Sequence, residues 1–207
     1  MQPAHALTPA AGGWLARLFG RHAPAPRKAR RRPVAGSSSA ELAAEMLCAP
    51  TALLQLGPHE ARTIVAYMQP HRIAQGTTFI REGDVQDTGF MLLVLDGEVT
   101  VEAIVVSRTE PLTHAVLGPG SLIGEMGLLD GAPRSASCTA ATDLRCAMLT
   151  RTALFLLLDD DPRTAAKLIL AISVRIAQRM RDNQEKLKLY AQLTQAMNEE
   201  IHALMPL

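Results

Sequence analysis

The chain has 207 residues, 48% hydrophobic but only 3% aromatic, with a formal net charge of +1. That length suits one domain with tails, and so aromatic-poor a core must be built from Leu, Ile, Val, Ala and Met. No apolar run reaches the roughly 18 residues of a spanning helix, and the N-terminus carries no signal-peptide pattern, so a cytoplasmic protein is expected.

The charge is unevenly spread. Residues 1–40 hold seven basic residues and no acid, while 41–207 hold 14 basic and 20 acidic, a balance of −6. The body is therefore mildly acidic, and DNA is not expected as its partner. Within the tail, GGWLARLFGR (12–21) sets Trp14, Leu15, Leu18 and Phe19 on one side of a short helix, and APAPRKARRRPVAGSSS (23–39) is Pro-, Arg- and Ser-rich. An amphipathic segment followed by a polybasic stretch suits a peripheral contact of 12–32 with the inner face of an anionic membrane. A nucleic-acid or protein contact, or a solvated disordered tail, fits the same composition.

Residues 41–69 are expected as N-terminal helices. SSSAEL (37–42) and PHEARTIVAYM (58–68) carry helix-start signals and apolar residues at helical spacing, with Ile64, Val65 and Met68 facing inward. After Gln69 the pattern becomes short strands: RIAQGTTFIREGD, GFMLLVLDGEVTVEAIVV, HAVLGPGSLIGE, RSASCTAA (134–141) and LRCAMLT (144–150), divided by glycines and turns. Such spacing predicts an antiparallel jelly-roll or β-roll over 70–150. From 151 to 207 the helical period returns: RTALFLLL (151–158), a break at DDDP (159–162), then a long helix toward 204. The fold class is mainly β with flanking helices (α+β).

In the long helix, positions 176, 180, 183, 187, 190, 194, 197, 201 and 204 hold Ile, Met, Asn, Leu, Tyr, Thr, Met, Ile and Leu. A sustained 3.5-residue period is a coiled-coil seam. It predicts a homodimer through 176–204; a helix folded back on its own barrel is the alternative. Cys48, Cys138 and Cys146 are scattered and the six histidines show no ligand spacing, so reduced thiols and no metal are expected.

One stretch carries chemistry: IGEMGLLDGAPRSAS (123–137). A single helical turn starting near Glu125 would aim free N–H groups, near Met126 and Gly127, at a common spot. Arg134 returns there after the GAP turn, and its guanidinium fork matches phosphate oxygens; Ser135 adds a hydroxyl. A carboxylate beside a phosphate makes sense if it accepts from a ribose 2′-OH. One arginine without an acid cluster for Mg²⁺ points to a singly charged phosphate, not a triphosphate. The alternative is a Glu125–Arg134 ion pair that holds the turn.

Residues from about 58 to 185 resemble the cyclic-nucleotide-binding domain of the catabolite activator protein and of the cAMP-dependent protein kinase regulatory subunit. The resemblance lies in GTTFIREGD (76–84), FMLLVLDGEVTV (90–101), GPGSLIGEMGLL (118–129) and APRSAS (132–137). It implies that Glu125, with Gly124, binds the ribose 2′-OH and that Arg134 binds the cyclic phosphate, with Ser135 beside it. In dimeric bacterial relatives the base reader lies on the long helix, which puts Asn183 and Gln184 at the base and Arg179 one turn earlier. Amides there depart from the hydroxyl side chains of those relatives and leave adenine or guanine open. Asn183 also suits a register role on the seam.

The sequence ends at Leu207, soon after the long helix, so a stand-alone sensor without a helix-turn-helix domain is expected. It would be non-enzymatic, bind cAMP or else cGMP, need no metal, and signal to an unidentified protein effector through its C-terminal helix. A Crp/Fnr-like transcription regulator acting through its basic arm or a partner, and a ligand-free dimeric interaction module, are the competing expectations.

Overall fold

The computed structural model describes residues 38–49, 52–53, 56–104 and 111–204. The basic tail and its amphipathic segment lie outside the described residues. Two helices lead, α1 (Ser38–Leu47) and α2 (Pro58–Val65). Eight strands follow: β1 (Gln69–Ile73), β2 (Thr78–Ile80), β3 (Phe90–Asp96), β4 (Val99–Ile104), β5 (Pro111–Leu117), β6 (Leu122–Ile123), β7 (Ser137–Ala140) and β8 (Leu144–Thr150). A short helix, α3 (Glu125–Asp130), sits between β6 and β7. Two helices close the chain, α4 (Arg151–Asp160) and α5 (Pro162–Leu204).

The strands form two antiparallel four-stranded sheets, ordered β1-β8-β3-β6 and β2-β7-β4-β5. This is the β-roll expected from the turn spacing. Strand β3 explains why the layers stack as they do. FMLLVLD is buried at four successive positions from Met91 to Val94, so it has no solvent face, as a continuous apolar run requires. Met91 and Leu93 join Leu47, Ile64, Leu149, Leu157 and Leu168 under the helices. Leu92 and Val94 join Ile80, Ile123, Cys138 and Cys146 between the sheets. One strand thus separates two cores.

The helical boundaries have local causes. Thr150 caps α4 by accepting from the Ala153 N–H at 3.2 Å. Asp161 caps α5, its Oδ1 accepting from the Thr164 N–H at 3.0 Å, with Pro162 at the first helical position. That hydrogen bond holds the Asp161 carboxyl below its ordinary pKa. Helix α5 runs 43 residues, about 65 Å at 1.5 Å per residue. Its first third docks through Ala165, Leu168, Ala171 and Ile172. From Gln178 to Glu200 every residue is exposed, including the seam residues Met180, Leu187, Tyr190 and Met197. The helix does not fold back on its own barrel.

Leu168 is fully buried where α5 meets the helical core. Leu168→Ala is expected to cost about 2–5 kcal/mol of unfolding free energy, measured by urea denaturation.

Candidate functional site

The site is built where β6 hands over to α3. Gly124 precedes the helix with φ +84°, and Gly131 follows it with φ +68°, both in the left-handed region that glycine tolerates. The Gly131 N–H donates to the Gly127 carbonyl at 3.0 Å, and Asp130 Oδ1 accepts from the Ala132 N–H at 2.9 Å. The helix therefore ends sharply, and the chain returns at Pro133 to place Arg134 beneath it.

Arg134 is buried, only 7% exposed. Its backbone is locked to the β2–β3 loop: the Arg134 N–H donates to Asp84 O at 3.0 Å, and the Gly83 N–H donates to Arg134 O at 2.8 Å. Its guanidinium meets main-chain carbonyls. Nη2 donates to Asp87 O at 3.0 Å and to Phe90 O at 3.4 Å. Nη1 donates to Gly124 O at 3.2 Å and to Phe90 O at 3.4 Å. The Phe90 ring centroid lies 4.4 Å from Cζ, a cation–π contact. Burial, with Arg151 adding to it, lowers the Arg134 pKa from its ordinary value, while Asp84 and Glu125 oppose the change. The group still carries its charge at neutral pH. Two of its four contacts are long for hydrogen bonds, so the cation is held but incompletely satisfied.

Glu125 is 2% exposed. Its Oε1 accepts from Arg179 Nη1 of α5 at 2.6 Å. The ion pair that would merely hold the turn, Glu125 with Arg134, is not formed; the acid is partnered by the long helix instead. Arg175, one helical turn before Arg179, donates to Ala52 O at 3.1 Å. Burial and Arg179 lower its pKa, against an opposing influence of Glu125.

Gly124, Glu125, Met126, Gly127, Arg134, Ser135 and Arg179 line one cleft, with Ile80, Val101, Leu117 and Leu122 as its apolar wall. The cleft thus brings a cation, an acid, a hydroxyl and an apolar surface together. Its cavity is about 110 Å³, below the roughly 300–1,000 Å³ of most small-molecule sites. Met126 and Arg179 narrow it; both are partly exposed side chains. Asn183 and Gln184 are exposed on α5, beyond Arg179, and do not line the cleft of the single chain. Cys138 lines it as a neutral thiol, its pKa pushed up to about 11 by burial. All three cysteines are free. Among the described residues no cluster of His, Cys, Asp or Glu is placed to hold a metal, and no helix is long and apolar enough to cross a membrane.

Sequence reasoning missed the Arg134 acceptors and Arg175. The acceptors are main-chain carbonyls, which no residue type announces. Arg175 was visible at i−4 from Arg179, a same-face spacing.

The β-roll gathers a buried guanidinium and a buried carboxylate on the single excursion from β6 through α3 to β7. The profile of the Cyclic nucleotide-binding domain family matches residues 70–161. The cyclic AMP receptor protein of Thermus thermophilus is 32% identical over 152 residues, 73% of this chain and 67% of that one. A cAMP-dependent protein kinase regulatory subunit from Colletotrichum orbiculare is 35% identical over 102 residues, 49% of this chain and 25% of that one. A cyclic nucleotide-binding domain from Methylobacillus flagellatus superposes with a TM-score of 0.62 at 30% identity, over 73% of this chain and 84% of that one. The chain belongs to the cyclic nucleotide-binding domain family. These relatives are regulatory or binding proteins rather than catalysts.

A Cβ built on Gly127 would stand 2.8 Å from both Arg134 Nη1 and Thr88 O. Gly127→Ala is therefore expected to cost about 1–3 kcal/mol, as overpacking does, read by thermal or urea unfolding without ligand.

Proposed function

We propose that this protein is a non-enzymatic cyclic-nucleotide sensor, with cAMP as its first ligand and cGMP as the alternative. The observation that carries the proposal is the Arg134 guanidinium, buried in the cleft on carbonyls alone, with Glu125 beside it and tied to α5. A cyclic phosphate reaching Arg134 exchanges long neutral contacts for charge-assisted hydrogen bonds. Glu125 accepts from the ribose 2′-OH, and Gly124, Met126, Gly127 and Ser135 shape the wall around the ligand. The name of the Thermus relative supports cAMP.

The narrow cavity supplies the coupling. A nucleotide needs more room than about 110 Å³, and Arg179 is the side chain from α5 that stands in the way. Ligand entry shifts Arg179 against Glu125, so binding biases α5 relative to the barrel. Asn183 and Gln184 come to the base through that movement or from the helix of a second copy. Dimerisation runs along 176–204, where the seam residues Met180, Leu187, Tyr190 and Met197 are exposed in one chain. The output passes from α5 to a protein effector. Three free cysteines suit a reducing cytoplasm, and the basic stretch 12–32 suits a peripheral contact with anionic lipid.

Calorimetric titration with cAMP, cGMP, 2′-deoxy-cAMP and cyclic di-GMP tests the site. Micromolar binding of cAMP or cGMP, lost with the deoxy analogue, is the expected result; no heat from cAMP and cGMP overturns the assignment. Ligand at about 100 times its dissociation constant should add about 2.7 kcal/mol of stability. Arg134→Ala should abolish the corresponding rise in melting temperature. Sedimentation equilibrium tests the assembly: the wild-type chain is expected at the mass of a dimer and Leu187→Asp at that of a monomer.

A further inference from the structure

Arg151 stands outside the cleft, at the junction between β8 and α4. Its backbone N–H donates to Gly89 O at the start of β3 at 2.7 Å. Its side chain runs the other way, to the C-terminal end of α3. Nε donates to Leu128 O at 3.0 Å, and Nη2 donates to Gly127 O. Two glycines make room for it: a Cβ on Gly131 would lie 3.1 Å from Nη2, and one on Gly89 would lie 3.4 Å from the Arg151 Cβ. The last carbonyls of a helix carry its negative end, and Gly127 O already accepts from the Gly131 N–H. A guanidinium fork placed there adds charge-assisted donors to the Gly127 and Leu128 carbonyls. Meanwhile Arg134 holds the other end of the same segment, at Gly124 O.

We propose that Arg151 is a positioning residue for the cyclic-nucleotide site: its grip on Gly127 O and Leu128 O fixes the Gly124–Gly131 turn and makes the start of α4 move with that turn. The inference rests on the ligand assignment above. Glu125 and Arg134 act on the ligand; Arg151 does not itself line the cleft but hydrogen-bonds to Gly127, which does. It acts on α3 from behind, and it is itself the first residue of α4. Because α4 packs on α5 through the shared helical core, the clamp gives the ligand a second mechanical connection to the long helix. The first, Glu125–Arg179, depends on one partly exposed side chain, Arg179, and can break and reform. The second runs through hydrogen bonds to main chain.

Arg151→Met keeps the aliphatic stem and removes the donors; Arg151→Lys keeps the charge and loses the fork. Hydrogen–deuterium exchange of the full chain is followed without ligand and with cAMP or cGMP, beside calorimetric affinities. Without ligand, Arg151→Met is expected to speed exchange at amides 126–131 roughly fivefold or more while β3 and β8 keep their protection, the mark of a local opening. It is expected to weaken nucleotide binding roughly tenfold and to erase ligand-induced protection in α4. Arg151→Lys should fall between. Wild-type exchange at 126–131, or wild-type affinity with α4 still responding, overturns the positioning role. So does loss of protection throughout β3 and β8, which would make Arg151 a support of the whole fold. A wild-type chain that binds neither nucleotide overturns the ligand assignment instead, and exchange without ligand then decides the clamp alone.

Discussion

A guanidinium taken out of water must find oxygen atoms, and Arg134 finds them on main chain. The carbonyls of Asp87 and Phe90 come from the entry to β3 and that of Gly124 from the entry to α3, two segments far apart in sequence. Each has to be in place before the arginine can be buried. Asp87 takes a positive φ of 50° as it presents its carbonyl, an uncommon conformation that tolerates Asp better than most residues. Gly124 and Gly127 leave the space that a side chain would close. The excursion from β6 to β7 is thus assembled around one cation.

Carbonyl dipoles hold a charge without neutralising it. That distinguishes Arg134 from the other charged groups of the cleft. Glu125 is matched by Arg179, and removing Arg179 would leave a buried carboxylate without its counter-charge. Among the described residues no carboxylate forms an ion pair with Arg134, whose charge rests on carbonyl dipoles and the Phe90 ring. The Glu125–Arg179 pair links the site to α5, because the residue that matches the acid belongs to that helix.

The helix itself has two regimes. Up to Ile172 it is part of the core; beyond Arg179 it is a 3.5-residue apolar seam with nothing of its own chain against it. The boundary between these regimes falls at Arg175, which donates to Ala52 O, and Arg179, which pairs with Glu125.

Periodicity alone was enough for the β-roll, the long helix and the single turn at Glu125, because burial of apolar side chains imposes those repeats on any chain that forms them. Side-chain chemistry likewise marked Glu125 and Arg134 as groups of one site, and the family resemblance brought Arg179 near them. Two details of strand placement were not legible: β1 starts at Gln69 on exposed polar residues, and β5 starts at Pro111, since pairing with a neighbour, not hydrophobic pattern, decides where a ladder begins. The choice of Arg179 over Arg134 as the partner of Glu125, the carbonyl cage around Arg134 and the grip of Arg151 on α3 also belonged to tertiary structure. Each depends on the direction in which a long side chain or a main-chain oxygen points once distant segments meet, and one-dimensional spacing does not contain directions. The sequence by itself determined which residues would carry charge into the core; only the fold decided which oxygen each of them would meet.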